Sequence, residues 1–148
     1  MNVLSPDINM LPVMNDTTQD PLEKTPLQLL SKPLGPYSPA VRSGNLLYLS
    51  GQIGINPETM MLEEGMSAQA HRAFQNMVAV IKAYGGTATN IRLIKVTLYL
   101  TDMEFFSLIN EIMAQYIEEP YPARSTIGIQ ALPQRALVEI EAIAELTP

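Results

Sequence analysis

The sequence contains no cysteine, which removes disulfides, thiolate zinc sites and cysteine nucleophiles at one stroke. It contains a single histidine, His71, so a histidine metal cluster is excluded and no metal site is expected. A serine hydrolase triad would have to use His71 as its base, and nothing near it resembles a nucleophile elbow. On a helical pattern, His71 reads as a solvated or partly buried side chain. Basic residues are also scarce, nine Lys and Arg against fifteen Asp and Glu, for a formal net charge of -6. Binding a phosphate backbone relies on Lys and Arg displacing condensed counterions, and no basic cluster is present, so nucleic acid is not an expected partner. No apolar run reaches the roughly 18 residues of a membrane span. Met1 to Pro12 lacks the cationic region and apolar stretch of a signal peptide, so no membrane partner and a cytoplasmic location are expected.

What is present is a globular balance. Hydrophobic residues make up 47% and charged residues 16% of 148, enough to build one buried core and too little chain for two ordinary domains. Residues 1 to 33 mix Pro6, Pro12, Pro21, Pro26 and Pro33 with Asn, Asp and Thr and show no sustained period. They are expected to form a flexible extension, although the apolar fragments Met10 to Met14 and Leu27 to Leu30 could dock on the domain or on a neighbouring subunit. Residues 34 to 148 form the domain proper.

From Gly44 the pattern is legible. Leu46 to Ile55 is an apolar run of strand length closed by Asn56-Pro57. Ala70, Ala73, Phe74, Met77, Val78, Ile81 and Tyr84 recur at steps of three and four, and Gly85-Gly86 stops them, which predicts an amphipathic helix of about five turns. Ile91 to Thr101 is rich in β-branched and aromatic residues, as a strand should be. Asp102 is placed to cap a second helix with the stripe Phe105, Ile109, Ile112, Met113 and Tyr116, which Pro120 and Pro122 end. Two more strands, about Ala123 to Gln130 and Leu137 to Leu146, close the chain around a connection containing Pro133. This order predicts an α+β fold, a mixed sheet with two helices on one face.

Strand parity then sorts the last two strands. Val138, Ile140, Ala142 and Ala144 share one side, and Glu139, Glu141, Ile143 and Glu145 the other. If Ser125, Ile127 and Ile129 pack under the helices, Arg124 joins the glutamates on the uncovered face. A two-residue turn at Pro133-Gln134 would pair Arg124 with Ile143, leaving Glu141 a diagonal neighbour and Glu139 roughly 13 Å along the sheet. Two readings of Arg124 follow. In one it forms an ordinary cross-strand ion pair with Glu141, worth about 0.2 to 1 kcal/mol if exposed. In the other it clamps an anion, for which its planar, permanently charged fork is suited; Glu139 could then act near it only across a subunit boundary.

Several segments together resemble one family. Pro122-Ala123-Arg124-Ser125, Leu132-Pro133 and Val138-Glu139-Ile140-Glu141-Ala142-Ile143-Ala144 are similar to the C-terminal signature of the RidA/YjgF family, also known as endoribonuclease L-PSP. Gly35-Pro36-Tyr37-Ser38 and Leu49-Ser50-Gly51-Gln52-Ile53 match its two earlier motifs in order, and Asn76, Lys95, Asp102 and Asn110 fall where the family carries them. The resemblance covers about residues 34 to 146. It implies a chorismate-mutase-like fold and a homotrimer whose sheets surround a central barrel, with sites in the clefts between subunits. It further implies hydrolysis of 2-iminobutanoate or 2-iminopropanoate to 2-keto acids and ammonia without a cofactor. Arg124 corresponds to the carboxylate-binding arginine and Glu139 to the water-handling glutamate, while Tyr37, Ser50, Gly51 and Asn110 line the family's cleft. Each also has a plain reading: Gly51 a tight strand position, Tyr37 an interface anchor, Asn110 a polar helix residue. Thr126 stands where many relatives have cysteine, and Pro39 where glutamine is common. Two other functions stay open, a non-enzymatic regulatory trimer that binds 2-keto acids and an RNA-cleaving translation inhibitor.

Overall fold

The computed structural model describes residues 26–148. The expected extension therefore falls, for residues 1 to 25, outside the described residues, together with the Met10 to Met14 fragment. Of the remainder, Pro26–Leu29 forms one 3-10 turn, and Leu30 packs against the core.

Five strands form one mixed sheet: β1 (Ala40–Ser43), β2 (Leu46–Ile53), β3 (Ile91–Leu100), β4 (Ala123–Gly128) and β5 (Val138–Leu146), in the order β1-β2-β5-β3-β4. Helix α1 (Met66–Ala83) links β2 to β3, and α2 (Phe106–Tyr116) links β3 to β4. The β1 strand is short and mostly exposed, with Val41 58% exposed, so it carried no periodic signal. It pairs with β2 across a turn in which Gly44 takes φ 59, a conformation open to glycine.

α1 spans the five turns that its apolar stripe predicts and buries Ala70, Ala73, Phe74, Met77, Val78 and Ile81. It ends where Gly85 turns at φ 100, with the Gly85 N–H donating to Lys82 C=O and the Gly86 N–H to Ile81 C=O. Asp102 accepts a hydrogen bond from Glu104 N at 2.9 Å and caps the 3-10 turn that leads into α2. The core lies between the helices and one side of the sheet, where Leu47, Val96, Leu98, Leu100, Val138, Ile140 and Ala144 are fully buried. Among the described residues, no helix is long and apolar enough to cross a membrane.

The expected β4–β5 hairpin does not form. β5 lies between β2 and β3 and pairs antiparallel with both, while β4 pairs with β3 alone, in parallel, with Val96 opposite Arg124. The reason is α2. A helical crossover returns the chain parallel to the strand it left, and the alternating strand Val138–Leu146 gains most from two neighbours at the centre of the sheet. This also reverses the parity expected for β4. In-register neighbours point the same way, so Arg124 shares the helix-covered side with Val96 and Ala142, while Ser125 and Ile127 join the glutamates. Ile127 is 42% exposed; on a short edge strand burial is too shallow for apolarity to set the face.

Candidate functional site

The sequence-derived residues gather in two places. The first surrounds a β-bulge in β2, where the pairing with β5 slips between Leu49 and Gln52 and leaves Ser50-Gly51 opposite Glu141. The Ser50 N–H donates to Pro39 C=O at 2.9 Å and its hydroxyl to Ser38 C=O at 2.6 Å, so the Gly35-Pro36-Tyr37-Ser38 loop is laced onto the bulge. Tyr37 Oη accepts from Leu34 N at 3.1 Å, and the ring lines a narrow groove with Gly51, Gln52 and Lys32. On the open side of the sheet, the Glu139 carboxylate lies directly over Gly51, where any Cβ would collide with it. Gly51 is therefore required by close approach, not by a turn.

Helix α1 fixes both strands of this half-site. Asn76 Nδ2 donates to Ile53 C=O at 3.0 Å and Ile55 C=O at 2.8 Å, anchoring β2 beyond the bulge. Gln69 Oε1 accepts from Leu137 N at 2.8 Å, anchoring the chain as it enters β5 just before Glu139. Both side chains are buried and polar, which is tolerable because each has its partner. Burial, followed by repulsion from Glu141, raises the Glu139 pKa above the ordinary carboxylate value. Beside it, Tyr99 Oη donates to Glu141 Oε1 at 2.7 Å. The open face continues as a trough of about 270 Å³ lined by Tyr48, Lys95, Thr97, Glu141 and Ile143.

The second place is the seam between β4 and α2. Arg124 Nη1 donates to Asn110 Oδ1 at 2.7 Å and to Met113 Sδ at 3.6 Å, and the guanidinium carbon lies 5.5 Å from the centre of the Phe106 ring. Both hydrogens of Nη1 are thus used within the chain. Among the described residues, the Nε and Nη2 edge has no hydrogen-bond partner, and that edge is the two-point fork that fits a carboxylate. Phe106 and Met113 were not singled out by sequence reasoning as site residues. Their signal was available, since positions 106, 110 and 113 follow the i, i+4, i+7 spacing of one helix face, but it reads equally as core packing.

The structure joins Arg124 with Asn110, Tyr37 with Gly51 along one groove, and Gly51, beside Ser50 in the bulge, with Glu139; it does not join Arg124 to the latter group. β2 and β4 are three strand spacings apart, roughly 14 Å, and Arg124 and Glu139 point to opposite sides of the sheet. The expected Arg124–Glu141 ion pair is absent for the same reason, and Glu141 takes the Tyr99 hydroxyl instead. His71 is partly buried, with Nδ1 2.8 Å from Tyr116 Oη, and so belongs to the α1–α2 contact.

Comparison with known proteins accords with this geometry. Residues 29–146 match the family model described as Endoribonuclease L-PSP. The chain is 43% identical over 116 residues, 78% of its length and 89% of the relative's, to a protein of Dermatophagoides farinae named 2-iminobutanoate/2-iminopropanoate deaminase. The crystal structure of RidA from the Antarctic bacterium Psychrobacter superposes with a TM-score of 0.76 at 41% identity, covering 80% of this chain and 95% of that one. The structure of E. coli TdcF with bound serine gives 0.74 at 32% identity, covering 81% and 95%. A mixed five-stranded sheet with its helices on one side, a bulge that seats a glutamate and these matches across the whole described domain lead to one conclusion: the chain belongs to the RidA/YjgF family.

Proposed function

We propose that this protein hydrolyses 2-iminobutanoate and 2-iminopropanoate to the corresponding 2-keto acids and ammonia, acting as a homotrimer with sites between subunits. The observation that carries this reading is the Arg124 fork, held by Asn110 and Met113, whose Nε and Nη2 edge has no hydrogen-bond partner among the described residues. Two further facts support it: the deaminase name of the Dermatophagoides farinae relative, and the serine bound to the E. coli relative, an amino acid with the carboxylate such a fork would grip.

The chemistry asks little of the protein. The imine carbon is electrophilic, so a positioned water and a proton carrier suffice, with no protein nucleophile and no cofactor. Water adds to C2 as Glu139 accepts one of its protons and returns it to the nitrogen, giving the carbinolamine; the hydroxyl proton then passes by the same route to the amino group, and ammonia leaves as the carbonyl forms. A carboxyl group whose pKa is raised by burial toward neutrality is suited to both halves of that transfer. Tyr37, Ser50 and Gly51 shape the cleft wall beside Glu139, and Asn110 orients the clamp.

Since Arg124 and Glu139 stand on opposite sides of one sheet, this mechanism needs the Arg124 of one copy beside the Glu139 of the next. Assembly through the open face would supply that. RNA cleavage is disfavoured by the same surface, where Glu139, Glu141 and Glu145 would repel a phosphate backbone.

The test couples a pyridoxal-phosphate-dependent threonine dehydratase, which releases the imine, to the purified protein and follows imine loss. Wild type should accelerate it. Arg124→Ala should lose about a hundredfold or more, and Arg124→Lys much of the activity, because a point charge cannot reproduce two-point binding. Unchanged acceleration by Arg124→Ala would overturn the assignment, and saturable 2-keto acid binding without turnover would replace it with a regulatory role.

A further inference from the structure

Two carboxylates, Glu139 and Glu141, stand on the same side of β5, one pleat apart, and among the described residues one of them alone has a donor. Tyr99, directly opposite Glu139 in the β3–β5 register, sends its hydroxyl diagonally to Glu141 Oε1 at 2.7 Å. A carboxylate that accepts a hydrogen bond holds its negative charge at lower cost than one that does not. Among the described residues, no hydrogen bond reaches Glu139. We propose that Tyr99 and Glu141 are positioning residues that divide the labour of this pair: the Tyr99 hydroxyl holds the Glu141 carboxylate in place beside Glu139, and that neighbour leaves Glu139 as the carboxyl that carries the exchangeable proton. This rests on the reading of Glu139 as the proton carrier, and it assigns roles to two residues outside the clefts already described.

The surroundings of Glu139 support the assignment. On β2, Gly51 and Ile53 approach it, and neither bears a charge. On β3, Tyr99 and Thr97 face the same side, with the Lys95 ammonium further along the trough beside Glu141. On β5 itself, Glu141 precedes Ile143 and Glu145. Lys32 lies across Gly51 in the neighbouring groove. Among the described residues, Glu141 is the charged group that acts on Glu139, which sits in partial burial; these are the two factors that favour its protonated form. Tyr99 behaves consistently, its own pKa raised chiefly by the bond to Glu141. In an assembled site a neighbouring copy's Arg124 would add a cation, and a fixed charge on Glu141 would then oppose its pull on Glu139. Two like groups pushed apart by their environments are a recurrent way to assign acid and base roles.

The experiment is a carbon-13 NMR titration of the glutamate carboxyls in the full-length protein, with the pH profile of kcat/KM for imine hydrolysis measured in parallel. Glu141→Gln keeps an acceptor for Tyr99 but removes the charge; Tyr99→Phe keeps the charge but removes the donor. In Glu141→Gln the Glu139 midpoint should fall by about half a pH unit or more. In Tyr99→Phe it should fall by less, because a Glu141 carboxylate released from its donor is still present but no longer held beside Glu139. The acidic limb of the rate profile should move with each midpoint, whereas a purely structural role would lower the rate without moving the limb. A Glu139 midpoint unchanged in both variants, with melting temperatures like wild type, overturns the proposal. A midpoint that moves in a protein without imine hydrolysis retains the division of charge and overturns only the assignment of activity.

Discussion

Along β5 the residues beneath the helices, Val138, Ile140, Ala142 and Ala144, are at most 4% exposed, while Glu139, Glu141, Ile143 and Glu145 alternate with them half-buried on the other side. The two faces belong to the same strands and differ in what completes them. The covered face is finished by α1 and α2 from the same chain, so its residues answer only to packing. The open face carries three carboxylates, a tyrosine hydrogen-bonded to one of them, and the exposed Tyr48 and Ile127. It is too apolar for a plain solvent surface and too polar for a core. Arg124 complicates the division, because it lies on the covered side but at the outer edge, where α2 holds it without sealing it. In the proposed mechanism, Arg124 and Glu139, divided between two faces of one sheet, become useful once a second copy places them together.

The sharpest way to break this comparison is complementation. Arg124→Ala and Glu139→Gln chains should each be inactive alone. Co-expressed in equal amounts and assembled at random, about a quarter of inter-copy sites would unite an intact Arg124 with an intact Glu139, and activity should return to that fraction. No recovery would mean that the site lies within one chain. The next largest contrast is energetic. Ile140→Ala, on the covered face, should cost about 2 to 5 kcal/mol in chemical denaturation. Ile127→Ala, on the open face, should leave the isolated subunit's stability nearly unchanged and register instead in sedimentation as weakened assembly.

Two glycines three residues apart supply a finer version. A Cβ at Gly54 would lie 2.5 Å from Gln69 Cα, so Gly54→Ala must displace the α1 backbone and should lower the melting temperature severely. At Gly51 the obstacle is the movable end of Glu139, so Gly51→Ala should cost little stability and most of the activity. The smallest effect concerns pH. Because the Glu139 pKa is raised on folding, its ionisation opposes the folded state; stability should fall as pH rises from the ordinary carboxylate range through the raised value. Glu139→Gln should therefore melt slightly higher than wild type above that window and equal to it below. A lower melting temperature at neutral pH would refute the electrostatic account.

Much of this was legible in the residues. The stripes of Ala70 to Tyr84 and Phe105 to Tyr116 predicted both helices, and the alternation from Val138 predicted which side of β5 faces them. The C-terminal signature and the two earlier motifs that resemble the family's, with the separate match at Asn110, pointed to Tyr37, Ser50, Gly51, Asn110, Arg124 and Glu139 as candidates. The partner of β4 was not legible, and an error there propagated: assuming a hairpin paired Arg124 with the wrong strand and turned it to the wrong face. β1 was missed because one buried position in four leaves no period. Met113 looked like a core residue because a helix stripe does not distinguish a side chain that packs on leucine from one that packs on a guanidinium, and Phe106 lay outside the predicted stripe.

By itself the sequence determined the elements other than β1, the buried side of each strong amphipathic segment, the family and the types of chemical group at hand, because these depend on local periodicity and residue identity. Tertiary structure alone decided that β5 lies between β2 and β3, that Arg124 turns toward α2 while Glu139 rests on Gly51, and that Tyr99 reaches Glu141. These outcomes rest on strand order and register, which arise from the competition of whole elements for the same sheet edges and helix faces, and no local pattern encodes that competition.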